Sequence, residues 1–222
     1  MKVGLSKAKK ILFLSISFTV VLLVARAWHT HTVAYTFYLW NLFLAIVPLW
    51  FSRQLARHAT VDVKSIALIS GWLLFFPNSP YVITDIFHFY QRPEMPMWYD
   101  LPLVFSATWN GMVAGFISLM QVDKFIALHT GRKVHAVLIT VFMFAASCGV
   151  YLGRFLRFNS WDVVRKPRSL AEFAFEYAFQ PLEHVKAWAF SVLCTVLLLL
   201  IYHTIKNLPA LVTSAGSKEL DV

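Results

Sequence analysis

The fold is decided by residues 75–88, FFPNSPYVITDIFH, where an apolar run ends in two prolines and several polar side chains. Pro77 and Pro80 lack the backbone N–H that an α-helix requires, so the stretch predicts a helix that is broken at Pro77–Pro80. Ser79 followed by Pro80 is typical of a helix N-cap with proline at the first helical position. We therefore predict a second helical piece over roughly residues 80–90.

Polar side chains on this second piece are predicted to share one face. Tyr81, Asp85 and His88 are separated by four and three positions, and residues at these offsets are neighbours on a helix. A helix interruption at membrane depth is tolerated where it is buried in protein or lines a cavity. The stretch therefore indicates where a binding or reaction site would lie, although it names no reaction.

The composition indicates a membrane protein. The chain has 222 residues, of which 59% are hydrophobic and 14% are charged, whereas soluble domains contain roughly 25% charged residues. The net charge is +9, but the lysines and arginines mostly flank apolar segments, where membrane topology and anionic lipid head groups account for them. We therefore predict membrane lipids as partners and no nucleic acid.

The apolar segments predict an all-α, polytopic transmembrane helix bundle. A helix needs about 20 residues to cross a bilayer, and about six segments approach that length. The predicted spans are residues 11–28, 35–51, 65–89, 101–121, 134–153 and 187–205. Residues 1–212 would form a single transmembrane domain, followed by a polar and mobile C-terminal tail over residues 213–222.

Two segments outside this simple pattern carry separate predictions. Ala25-Arg26-Ala27 resembles a signal-peptidase site, but the preceding apolar run is long enough to span, so we predict that the first helix is retained. Residues 169–179 open with Ser-Leu-Ala-Glu, a capping box, and continue with apolar and aromatic residues. This pattern predicts an interfacial helix, with a helix packed on the bundle as the alternative.

Loop charges predict the orientation of the chain. With a cytoplasmic N-terminus, most lysines and arginines lie on inner segments, as the positive-inside rule requires. Residues 154–186 break that rule, since they lie on the outer side and are rich in arginine and lysine. These cations are therefore predicted to pair with acids or to hold an anion. The expected location is a cell membrane, with the N-terminus on the cytoplasmic side.

Small residues recur at every fourth position in two of the predicted spans. Such stripes let helix backbones approach closely, so we predict packing faces rather than functional ones. The two stripes are Ala107, Gly111 and Gly115, and Ala145, Gly149 and Gly153.

Three polar clusters converge on one side of the predicted bundle, near residues 78–88, 98–110 and 153–162. Ionisable groups in spans are functional candidates by default, because their insertion is unfavourable. The candidate catalytic residues are Asp85, His88 and Asp100. The candidate substrate-binding residues are Asn78, Tyr81, Trp109, Asn110, Arg154, Arg157, Asn159 and Asp162.

A structural role competes with the catalytic one. Asp85 or Asp100 could pair with Arg154 or Arg157 and pin the broken helix to the fifth span. Asp85 and His88 also have the spacing of metal ligands on a helix, but no two-histidine helical motif is present, so we assign no metal ligands. No cofactor is indicated.

The three polar runs together resemble a known family. FFPNSPYVITDIFH, WYDLPLVFSATWNG and YLGRFLRFNSWDV are similar to bacterial membrane proteins grouped as domain of unknown function 1361, over roughly residues 65–162. The resemblance implies a multi-spanning bacterial membrane protein. It implies no activity, so function has to be argued from the residues.

Three functions remain open. In the first, the protein binds or processes an anionic lipid or a phosphate-bearing envelope precursor, with arginines on the phosphate and Asp85 or His88 as general base. The N-terminus of the second helical piece, near Ser79, would add its positive dipole end. The second is a non-catalytic assembly or scaffold protein. The third is a small transporter with its site at the broken helix, although no inverted repeat is evident.

Overall fold

The computed structural model describes residues 2–90 and 93–218, and within them the secondary structure is helical with no β-strand. Five helical segments are long and apolar enough to cross a membrane. They are Lys9–Thr30, Val63–His88, Met97–His129, Arg132–Phe155 and Val185–Ala210. This architecture confirms the predicted all-α, polytopic bundle.

The helices follow the predicted order along the chain. They are α1 (Lys2–Thr30), α2 (Phe37–Leu55), α3 (Val63–Phe75), α4 (Asn78–Thr84), α5 (Met97–His129), α6 (Arg132–Phe155), α7 (Asp162–Arg165), α8 (Pro167–Phe179) and α9 (Val185–Lys218). A single 3-10 turn, Asp85–His88, follows α4.

The second predicted span corresponds to α2, which is not among the five apolar segments. Its 19 residues include Asn41 and, just before the last residue, a polar Ser-Arg-Gln sequence, which lowers its hydropathy. α2 nevertheless packs along α5, α3 and α4, with Tyr38 and Ala45 fully buried. It is therefore a central helix of the bundle rather than a peripheral one.

Successive long helices run in opposite directions, which gives the bundle two ends. We call them the Arg154 end, where α1, the 3-10 turn and α6 finish, and the His129 end, where α2 and α5 finish. The short helices α7 and α8 connect α6 to α9 at the Arg154 end. The three polar runs singled out in the sequence therefore lie towards the same end.

The largest core cluster surrounds the middle of α5. Trp72 of α3 is fully buried there beside Phe116 and Leu119, and its Nε1 donates a hydrogen bond to Ser118 Oγ at 3.0 Å. Tyr202 of α9 stacks on Phe116 with ring centroids 6.3 Å apart. This cluster joins α3, α5, α6 and α9 and fixes the rotation of each helix about its axis.

The interruption between α3 and α4 is short. Phe76 and Pro77 keep helical dihedral angles, so the chain turns little while the helical hydrogen bonding is interrupted. The carbonyl of Leu74 accepts from Ser160 Oγ at 3.2 Å, and that of Phe75 accepts from Asn78 Nδ2 at 2.8 Å. Side chains thus satisfy two backbone carbonyls at the point where the regular helical hydrogen bonding stops.

Ser79 differs from its predicted role as an N-cap. It lies inside α4, and its hydroxyl donates to the carbonyl of Ala45 at 2.9 Å. The backbone N–H groups of Ser79 and Tyr81 bond to the carbonyls of Phe76 and Pro77. These N–H groups are used within the chain, so the start of α4 offers no anion site of the kind expected from the sequence.

The segment formed by Pro77 and α4 packs between the two stripes of small residues, one on α5 and one on α6. A Cβ atom at Gly115 would lie 2.5 Å from Ser79 Cβ, and one at Gly149 would lie 2.6 Å from Pro77 Cγ. A Cβ at Gly153 would meet the Tyr81 ring at 3.2 Å. The interrupted segment is therefore held between α5 and α6 by backbone approaches that larger residues would prevent.

α8 begins at Pro167, two residues before the predicted start, so the expected capping box at Ser169 does not form. Its Tyr177 ring stacks on Trp188 of α9 at 4.7 Å, and the Trp188 Nε1 donates to the Tyr177 carbonyl at 2.9 Å. Burial raises the pKa of the Tyr177 hydroxyl above its usual value. One face of α8 therefore packs on the bundle.

The predicted C-terminal tail, residues 213–222, continues as helix in α9 as far as Lys218. Its last four residues lie outside the described residues.

Candidate functional site

A cavity of about 940 Å³ lies at the Arg154 end, between α3, α4 and α6. Its lining is polar towards that end and apolar further along α3 and α6. The polar lining residues at that end are Asn41, Asn78, Tyr81, His88, Arg154, Arg157, Asn159 and Ser160, and Ser70 is the polar residue further along α3. The apolar ones include Leu44, Leu73, Leu74, Ala145, Leu152 and Leu170.

Arg154, on the last turn of α6, is the central cation of this cavity. Its Nη1 lies 3.1 Å from His88 Nε2 and 3.5 Å from Asp85 Oδ1. A guanidinium group can only donate hydrogen bonds, so His88 Nε2 must accept and the imidazole carries its proton on Nδ1. Arg154 thereby joins α6 to the 3-10 turn that ends the interrupted helix.

Asp85 lies behind Arg154 and does not line the cavity. Its side chain is 1% exposed, and its Oδ2 accepts a hydrogen bond from Asn41 Nδ2 at 2.8 Å. Tyr38 of α2 donates to the Asp85 backbone carbonyl at 3.0 Å. This environment suits a carboxylate that orients Arg154 by its charge, and it gives Asp85 no access to a bound molecule.

Arg157 follows α6 in an unusual backbone conformation. Its φ is +59°, in the left-handed region that residues other than glycine rarely adopt. The Phe158 backbone N–H donates a hydrogen bond to the Leu152 carbonyl at 3.1 Å, which terminates the helix. Among the described residues, the Arg157 guanidinium has no hydrogen-bond or ion-pair partner, although it lines the cavity.

The loop after α6 is tied to the helix interruption. Asn78 Nδ2 donates to Ser160 Oγ at 2.9 Å, in addition to its bond to Phe75. Asp162 is buried and accepts from the Asn159 backbone N–H at 2.8 Å. Asp162 thus shapes the loop rather than lining the cavity, whereas Asn78 and Asn159 line it as expected for binding residues.

Asp100 does not line the cavity. It forms a two-bond ion pair with Arg26 of α1, from Nε at 2.7 Å and Nη2 at 3.1 Å, and both side chains are 2% exposed. The Arg26 guanidinium also stacks 3.8 Å from the centre of the Tyr35 ring. The sequence predicted that Asp85 or Asp100 would pair with Arg154 or Arg157. Asp85 is the one that meets Arg154, whereas Asp100 pairs with Arg26 and has a structural role.

Asn110 and Trp109 also lie away from the cavity. Asn110 Nδ2 donates to the Ser15 carbonyl at 3.0 Å and to Thr19 Oγ1 at 2.9 Å, and so joins α5 to α1. Trp109 is 56% exposed on the outer surface of the bundle. Neither residue lines the cavity, because α5 presents them to α1 and to the exterior while Gly111 and Gly115 meet α4.

Sequence reasoning missed two polar side chains that complete these networks. Asn41 is the one strongly polar residue in the predicted second span, and Arg26 is an ionisable residue at the end of the first. Polar and ionisable groups within spans are signals of a partner or a site, so both residues could have been found. In contrast, no group of three or more His, Cys, Asp or Glu side chains among the described residues could hold a metal ion.

The apolar helices and the polar cavity at one end define a multi-pass helical membrane protein. The family model described as a protein of unknown function, DUF1361, matches residues 40–201. The chain therefore belongs to this family. No curated protein and no solved structure matches it.

Proposed function

We propose that the cavity at the Arg154 end binds an anionic amphiphile whose phosphate group lies against Arg154 and Arg157. The observation that carries this proposal is the Arg157 guanidinium, which lines the cavity without a partner among the described residues. A guanidinium group in a partly enclosed site favours a phosphate, because it can donate two parallel hydrogen bonds to it. The described lining contains no Asp or Glu that would repel an anion.

The apolar part of the cavity supports an acyl chain. The cavity as a whole runs along residues 70–78, from α3 into the start of α4, and along residues 145–154 of α6, and the apolar side chains lie within these stretches. At a rise of about 1.5 Å per residue, these stretches extend about 12–14 Å along the helices. That depth is close to one leaflet of a hydrocarbon core of about 30 Å, so a lipid could place its head group at the arginines and its chain along α3 and α6.

The geometry favours binding over proton transfer. The lone pair of His88 Nε2 accepts from Arg154, and Asp85 is separated from the cavity by Arg154. A general base needs a free lone pair within hydrogen-bond reach of the substrate. Binding without bond cleavage is therefore the function we propose for this site.

The test is the lipid content of protein purified gently in an uncharged detergent, measured by native mass spectrometry. We expect the wild type to retain a phosphate-bearing lipid, and Arg157→Gln to retain at least about tenfold less, the effect of one lost charge-assisted hydrogen bond. Arg168→Gln is the matched control, since Arg168 lies at the same end, is 92% exposed and does not line the cavity. Equal retention by wild type and Arg157→Gln would overturn the proposal.

The alternatives make different predictions in the same samples. If the protein is a scaffold, the wild type and Arg157→Gln would retain the same amount of lipid. A transporter would move its ligand across sealed liposomes, and a binding protein would not.

A further inference from the structure

We infer that the ligand of this cavity carries a single negative charge, as a phosphodiester with an uncharged polar head group. This inference rests on the proposed function and narrows it to one class of lipid. It follows from the charges at the cavity, counted side chain by side chain.

One of the two cavity arginines already has a counter-charge. Arg154 Nη1 lies 3.5 Å from Asp85 Oδ1, and the buried Asp85 has no other cation in contact among the described residues. This carboxylate offsets the charge of Arg154 in surroundings where water screens poorly. Arg154 can still donate a hydrogen bond to a ligand, but it adds little net charge for a ligand to neutralise.

Arg157 therefore supplies the one unmatched charge of the described lining. A phosphodiester carries one negative charge, which balances the positive charge of Arg157. A phosphomonoester brings nearly two above neutral pH, so one of its negative charges would have no counter-charge among the described lining residues. Asp162 lies just beyond the loop, and its carboxylate would further oppose a second negative charge.

The remaining polar atoms suit an uncharged head group. Among the described residues, the Tyr81 hydroxyl and the Asn159 side-chain amide line the cavity without hydrogen-bond partners. These neutral donors and acceptors can bind hydroxyl groups. An ammonium head group would need a carboxylate or several aromatic faces, and the described lining holds no carboxylate. A polyol head group therefore fits better than an ethanolamine or a choline.

The test is a titration at pH 7.5 in uncharged-detergent micelles, with bound lipid counted by native mass spectrometry. The probes are dioleoyl phosphatidylglycerol, phosphatidic acid and phosphatidylethanolamine, which differ in head group alone, together with soluble glycerophosphoglycerol. We expect phosphatidylglycerol to bind at least about fivefold more tightly than either other lipid, a difference of about 1 kcal/mol. Arg157→Gln should abolish that preference, and Arg168→Gln should keep it.

The outcomes separate this inference from the proposed function. Phosphatidic acid binding as tightly as phosphatidylglycerol, with both lost in Arg157→Gln, would overturn the inference and leave the proposed function intact. Phosphatidylethanolamine binding equally well and independently of Arg157 would overturn both. Tight binding of glycerophosphoglycerol alone would show that the ligand is a soluble phosphodiester rather than a lipid.

Discussion

Three arginines at the Arg154 end have three different environments, and the environment of each indicates what it does. Arg26 is buried and forms two hydrogen bonds with Asp100. Arg154 contacts both Asp85 and His88. Arg157 has no hydrogen-bond or ion-pair partner among the described residues. A buried, fully paired arginine is a structural element, because neither its charge nor its donors are available. An unpaired guanidinium beside a cavity is available for a ligand.

The first prediction compares a buried with an exposed ion pair. Arg26→Gln should lower the free energy of unfolding by about 3–5 kcal/mol, because it leaves the Asp100 carboxylate buried without a counter-charge. Arg168→Gln should cost less than about 1 kcal/mol, because its pair with Glu172 is solvent-exposed. Thermal unfolding in one uncharged detergent measures both. Equal melting temperatures for the two variants would contradict the burial of Arg26.

The second prediction concerns the pair beneath the cavity. Asp85→Asn and Arg154→Gln should each destabilise the protein, and the double variant should lose less than the sum, with a coupling of at least about 0.5 kcal/mol. The 3.5 Å approach of Nη1 to Oδ1 is the reason for this coupling. A double-mutant cycle on unfolding free energies provides the measurement, with Arg154→Gln combined with Glu172→Gln as the uncoupled control. Strict additivity in the first cycle would rule the contact out.

Among the elements, α4 shows how the interruption is accommodated. The prolines stop the helical hydrogen bonding, and glycines at the facing positions of α5 and α6 let this short segment lie between two long helices. The side chains of Asn78 and Ser160 then donate hydrogen bonds to the backbone carbonyls of Phe75 and Leu74, respectively. The interruption, the small residues and the loop after α6 therefore form one arrangement that positions the cavity.

The third prediction tests that arrangement. Gly149→Ala should destabilise the protein by about 1–3 kcal/mol, since its Cβ would lie 2.6 Å from Pro77 Cγ and either α4 or α6 must shift. Gly131→Ala is the control, because no atom lies within 4 Å of a Cβ at that position. Melting temperatures in detergent give the comparison. A Gly149→Ala variant as stable as Gly131→Ala would show that α6 does not pack closely on Pro77.

The sequence could predict the elements and the end of the bundle where polar residues gather. Prolines mark the interruption at Pro77, and alternating helix direction brings residues 78–88, 98–110 and 153–162 to one end whatever the orientation. The first inference is local, the second needs only the number of spans, and neither requires knowledge of how the helices pack. The small-residue stripes likewise predicted close packing, and Gly115 and Gly149 receive α4.

The sequence could not predict which polar residues share a site. Asp85 and Asp100 lie at the same end of the bundle as several arginines, and the rotation of each helix decides which arginine each one meets. That rotation is set by packing around Trp72 and Phe116, which no local pattern records. The role of Ser79 could not be predicted for the same reason. Its hydroxyl donates to the Ala45 carbonyl of α2 instead of capping a helix.

For the whole molecule, the orientation in the membrane is a prediction from loop charges. The fourth prediction is that a cysteine replacing Arg168 reacts with a membrane-impermeant reagent added outside, and that one replacing Arg132 does not. Both positions are exposed, and they lie at opposite ends of the bundle. Cys148 and Cys194 would first be changed to alanine. The reverse labelling pattern would place the N-terminus outside and the cavity on the cytoplasmic side.

The central claim is that an anionic amphiphile occupies the cavity with its chain between α3 and α6. It is tested most directly with a phosphatidylglycerol that carries a photoreactive diazirine in its acyl chain, followed by peptide mapping. We expect adducts concentrated in residues 70–77 and 145–152, which line the apolar wall, and a loss of these adducts in Arg157→Gln. Adducts at equal levels on outward-facing positions such as Phe105 and Trp109, without enrichment in the cavity, would contradict the claim.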